Sequence, residues 1–79
     1  MKYETWKEPG KTGKTYFVFY GLKNTTQIEE AAKTVAKVQK LSIKNIHFET
    51  AWIKNGELYL GNGPVVGAKK AIAFYRRVK

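Results

Sequence analysis

Gly63-Pro64-Val65-Val66-Gly67-Ala68-Lys69-Lys70-Ala71-Ile72-Ala73-Phe74-Tyr75-Arg76-Arg77-Val78 carries two patterns at once, and the fold turns on which one wins. At helical spacing, Ala68, Ala71, Ile72, Tyr75 and Val78 share a stripe, and Pro64 occupies a first-turn position. At a period of two, Ile72, Phe74 and Val78 also alternate, which is the signature of a strand from Ala71 to Val78. The proline entry and the alanines favour the helix. The expectation is therefore a second helix closing the chain.

Upstream the signals are plainer. Asn55-Gly56 is the preferred centre of a two-residue type I′ turn, in which both residues take positive φ. It lies between Ile46–Lys54 and Glu57–Leu60, so Lys54 should pair with Glu57, Ile53 with Leu58 and Trp52 with Tyr59. A second hairpin is expected from Lys2–Lys7 and Tyr16–Tyr20, joined by the turn Glu8-Pro9-Gly10-Lys11-Thr12-Gly13. Between the hairpins, Thr26 and Glu29 match a capping box. Ile28, Ala31, Ala32, Val35 and Val38 then recur at helical spacing to about Lys40. The order expected is ββαββα: one α+β domain over residues 1–79, with a four-stranded, mainly antiparallel sheet and two helices on one face.

Charge is the strongest clue to partners. Fifteen lysines and arginines face six glutamates, with no aspartate, for a formal net charge of +9 over 79 residues. A compact domain gains nothing from repelling itself, whereas each nucleic-acid phosphate neutralised releases condensed counterions. Apolar residues at 43% and aromatics at 14% are sufficient for a small core. Absent cysteine removes disulfides and thiolate metal sites, and suits a reducing cytoplasm. Behind Met1-Lys2-Tyr3-Glu4 no apolar run suggests a targeting segment, and no stretch reaches the ~20 residues of a membrane span.

On the first helix, Lys33, Lys37 and Lys40 fall within about 60° of one another, opposite Ile28 and Val35. On the second, Lys69, Lys70, Arg76 and Arg77 flank Ala73. Packed side by side, the two helices would present one cationic wall. A helix needs a solvated face in any case, so lysine alone is weak evidence. The arginines weigh more, because guanidinium forks hold phosphate bidentately and no acid follows Glu57.

The aromatics offer a second surface. Alternation puts Phe48 and Trp52 on one face of their strand with Tyr59 beside Trp52, and Ala51, Ile53, Leu58 and Leu60 on the other. Sending the aliphatics to the helices leaves Phe48, Trp52 and Tyr59 on the uncovered face, for stacking with bases or for a protein interface. Core packing or a homodimer seam is the competing use of the same rings.

Catalysis finds little to work with. Gly13-Lys14-Thr15 ends like a phosphate-binding loop, but position 8 is glutamate and a strand follows. Gly61-x-Gly63-x-x-x-Gly67 is one residue too long for a dinucleotide fingerprint. At most its amides would grip one phosphate at the expected helix start. His47 is the only histidine, Ser42 the only serine, and aspartate and cysteine are absent, so a Ser-His-Asp set is impossible, no metal site is expected and no cofactor is implied. His47 reads as a strand residue at a sheet edge or surface.

The leading expectation is a non-enzymatic, cytoplasmic, nucleic-acid-binding protein, with DNA foremost, using a basic helical face. Lys69, Lys70, Arg76 and Arg77 would anchor phosphates, extended by Lys33, Lys37 and Lys40. The alternative is a protein–protein interaction module, a small inhibitor or assembly factor. It would use Phe48, Trp52 and Tyr59 against a second copy or an acidic partner.

Overall fold

Asn55 and Gly56 take φ of 52° and 75°, so the type I′ turn forms where its sequence demands it. The flanking strands, here β3 (Ile46–Lys54) and β4 (Glu57–Leu60), pair antiparallel in the expected register, Lys54 with Glu57 and Trp52 with Tyr59. The computed structural model describes residues 2–7, 14–61 and 63–76. Near the N-terminus, β1 (Glu4–Lys7) and β2 (Thr15–Phe19) also pair antiparallel, Trp6 opposite Tyr16. The expected turn at residues 8–13 lies outside the described residues.

One helix, α1 (Thr25–Gln39), follows β2. Its start is two residues earlier than the Thr26–Glu29 box. Asn24 is the N-cap, its Oδ1 accepting from the Gln27 amide at 2.9 Å, while Gln27 Oε1 accepts from the Lys23 amide at 2.6 Å. At the other end Lys40 sits in the left-handed region, with φ of 56°. The Leu41 amide reaches back to the Ala36 carbonyl and the Lys40 amide to that of Lys37, a Schellman ending. A 3₁₀ turn at Ile43–Asn45 then leads into β3.

The second helix does not form. Residues Lys69–Arg76 are a strand, β5, at the centre of a five-stranded antiparallel sheet in the order β1-β2-β5-β3-β4. The expected four-stranded sheet with two helices is thus corrected to five strands and one helix. The reason is two-sided burial. A helix would bury one stripe, whereas the central strand hydrogen-bonds on both edges and buries Ala71 and Ala73 on one face and Phe74 on the other. Alanine's helix propensity is a weak preference that such packing overrides.

The two faces differ in residue size. Beneath α1, Phe17, Phe19 and Phe74 pack with Ala31 and Val35, and the Phe19 and Phe74 rings meet edge to face at 5.2 Å. Phe19, Phe74, Val18 and Val35 are fully buried, each worth about 1.5–3 kcal/mol. The opposite face is lined at its centre by Val18, Ala51, Ala71 and Ala73, all buried although no helix covers them. Small side chains there let the sheet curl toward that face into a half-barrel. The curl brings the two edge strands, β1 and β4, to opposite sides of one cleft. Helix α1 therefore rides on the convex side. Ala51, Ile53 and Leu58, expected under the helices, belong instead to the concave cluster. Among the described residues no helix is long and apolar enough to cross a membrane.

Candidate nucleic-acid interface

Turning β5 into a strand redistributes the cations assigned to it. Successive residues point to opposite faces, so Lys69 enters the concave side while Lys70 and Arg76 share the convex side with α1. Lys70 stands directly across from Trp52, and Arg76 across from Ile46. The ammonium of Lys69 lies 4.6 Å from the centroid of the Tyr20 ring, a cation–π contact on the concave face. Arg77 lies outside the described residues. On α1, Lys33, Lys37 and Lys40 are exposed as their helical phase requires. The wall of two basic helices is thus replaced by one basic helix and a strand whose cations are split between faces. What remains on the convex side is Lys33, Lys37, Lys40, Lys70 and Arg76.

The aromatic trio is partly open but not where alternation alone had put it. Phe48 pairs across the ladder with Phe74, the rings 5.6 Å apart, and Phe74 lies in the core under α1. Phe48, Trp52 and Tyr59 therefore occupy the helix-bearing convex face, beyond the part that α1 covers. Phe48 is 53% exposed and Tyr59 42%. Trp52 is half-buried, its indole Nε1 donating to the Gly61 carbonyl at 3.0 Å and its ring lying against Gly63. Across the sheet, Tyr59, Trp52 and Lys70 form one continuous row. An open strip thus runs beside α1, with Phe48 and Tyr59 as ring surfaces and Lys70 and Arg76 toward its β5 side.

No helix starts after Gly67, so the glycine-rich segment offers no helical amides to a phosphate. Gly67 has φ of 79° in a tight turn closed by the Ala68 amide on the Val65 carbonyl. His47 is a half-buried β3 residue on the concave face, its ring 5.7 Å from that of Tyr75.

Glutamates meet tyrosines here. Tyr20 Oη donates to Glu4 Oε1 at 2.9 Å, Tyr75 Oη to Glu49 Oε2 at 2.9 Å, and Tyr59 Oη to Glu57 Oε1 at 2.6 Å. Burial, then the bond to Glu4 and its charge, push the Tyr20 phenol up to about 12. Tyr75 is raised by burial first and Glu49 second, and exposed Tyr59 mainly by its bond to Glu57. Three of the protein's six glutamates are held in this way.

The concave cleft escaped sequence reasoning. Trp6 and Tyr16 on one side face Leu58 and Leu60 on the other, across a volume of about 680 Å³. Their alternation within each strand was visible, but not that the sheet curls and brings its two edges together. Comparison with known protein families, characterised proteins and solved structures finds no match to this chain.

Proposed function

We propose that this protein is a non-enzymatic nucleic-acid-binding protein that takes a single strand along its convex face. The observation that carries the reading is the strip itself: exposed Phe48 and Tyr59 beside Lys70 and Arg76. Single strands are held by base stacking on exposed rings plus cations that follow the backbone, with stacking worth about 1–3 kcal/mol per base. Phe48 lies four residues from Trp52 along β3, on the order of 13 Å at strand rise, so consecutive rings can serve different bases. Lys33, Lys37 and Lys40 extend the phosphate track onto α1. A duplex presents no free base faces and would engage the cations alone.

The test compares ring and cation variants with matched DNA and RNA strands. Phe48→Ala and Tyr59→Ala should each weaken single-strand binding while leaving its salt slope unchanged. Lys70→Ala and Arg76→Ala should weaken it and flatten the slope by about one unit each. Ring variants that bind like the parent would remove stacking from the account.

The alternative is a protein-interaction surface, favoured by the exposure of Val38 (49%) and Ile43 (44%) on the same side of the sheet. Sedimentation discriminates: a dimer that Phe48→Ala dissociates supports it, and a monomer that binds oligonucleotide supports the strand.

A further inference from the structure

The convex strip leaves unused the gap between the two ends of the sheet. On its concave side the gap is apolar, with Trp6 and Tyr16 from the first hairpin facing Leu58 and Leu60 of β4. The Trp6 ring is held by its Nε1, which donates to a Glu4 carboxylate oxygen at 3.2 Å. Every residue from Gly56 to Leu60 lines the gap, as do the neighbours Trp6 and Lys7. Successive strand residues point to opposite faces. A cavity that touches all of them therefore runs along the strand edges, where main-chain groups are presented.

Those edges are open. In the order β1-β2-β5-β3-β4, β1 and β4 stand at the two ends, so among the described residues each pairs on one side only. Their remaining main-chain N–H and C=O groups are a template for another strand. Direction follows from the pairings. All four are antiparallel, so β1, β5 and β4 run one way and β2 and β3 the other. With an odd number of strands the two free edges run parallel to each other. One further strand of opposite direction would be antiparallel to both and would close the half-barrel.

We propose that the gap binds an extended acidic peptide by strand addition, paired antiparallel with β1 on one side and β4 on the other. Alternate residues of the peptide are apolar and enter the concave side against Trp6, Tyr16, Leu58 and Leu60. The intervening residues emerge on the convex side, where alternation places the Lys7 side chain. On the opposite lip Glu57 is engaged by Tyr59, whose Oη donates to it at 2.6 Å. Acidic residues of the peptide meet Lys7, and the net charge of +9 attracts an acidic chain while repelling a second copy of this one. The site borders the convex strip at Tyr59 but does not rest on it.

A synthetic octapeptide alternating valine with glutamate, titrated into the intact protein and followed by NMR, tests the proposal. The Trp6 indole and the Leu58 and Leu60 methyl signals should shift and saturate, and amide exchange should slow in β1 and β4. Exchanging the peptide's glutamates for lysines should weaken binding about tenfold, as should Lys7→Glu at its exposed position. Two further peptides carry backbone N-methyl groups at the odd or at the even positions, which removes the donors toward one edge or the other. Each should bind about tenfold more weakly, because the strand pairs on both sides. Phe48→Ala should leave the response to the parent peptide intact, which separates this site from the convex one. A stationary Trp6 signal, or an N-methylated peptide that binds like its parent, overturns the assignment. So does equal binding of the acidic and basic peptides.

Discussion

Gly63 lies against the face of the Trp52 indole so closely that a Cβ at position 63 has no room. The approach seats the loop after β4 on the convex face and leaves the Trp52 Nε1 aimed at the Gly61 carbonyl. Gly63→Ala must therefore displace the loop or the ring, at about 1–3 kcal/mol, the usual range for overpacking. Urea denaturation of the variant measures this. An unchanged midpoint would mean that the loop does not rest on Trp52.

Lys40 ends α1 in a left-handed conformation that suits glycine better than a side chain. Lys40→Gly should stabilise the fold by roughly 1 kcal/mol, since the penalty for a Cβ there is about 1–2 kcal/mol. If Lys40 also contacts phosphate, the same variant should lose about one unit of salt slope in oligonucleotide binding. Stability and affinity then move in opposite directions, a pairing easily read from one preparation.

Ala73 is fully buried at the centre of the concave face. Its methyl group allows the sheet to curl over it. Ala73→Leu should open the curl and cost about 1–3 kcal/mol, again through overpacking. Thermal unfolding checks the stability, and the Trp6 indole signal reports whether the cleft has changed. A variant as stable as the parent would show that the concave centre has room to spare.

The alkaline limb of stability should belong largely to tyrosine. In the folded state the Tyr20 phenol is raised to about 12 against an ordinary value of 10, first by burial and then by Glu4. A raised pKa means the folded state favours the neutral phenol. Its contribution is complete below pH 10 and is lost as pH rises from about 10 to 12. Tyr75 shifts in the same direction through burial and Glu49, and adds to the same limb. Tyr20→Phe should make stability fall less steeply over that window, measured by urea unfolding at stepped pH. A fall identical to that of the parent would show that Tyr20 ionises freely.

What could be read from the residues was what local chemistry decides. Asn55-Gly56 dictates its own turn and, through it, the whole register of β3 and β4. The α1 stripe of Ala31 and Val35 is legible because one buried face at helical period suffices to define it. Residues 69–76 misled because Ala71 and Ala73 resemble helix formers when their neighbours are unknown. Only pairing with β2, some fifty residues away, makes small residues useful there. The same gap explains the site. Alternation grouped Phe48 with Trp52 and Tyr59 correctly, but which face α1 covers depends on Phe17, Phe19 and Phe74. The cleft depends on β1 meeting β4, a relation that no local window contains.

The most direct test of the central claim is fluorescence anisotropy with labelled single-stranded and duplex oligonucleotides across a salt series. The account predicts tighter binding to the single strand, with log Kd rising with log salt at a slope of several units. Phe48→Ala should erase much of the preference for the single strand. No binding at low salt, or a preference for duplex indifferent to Phe48 and Tyr59, would contradict it.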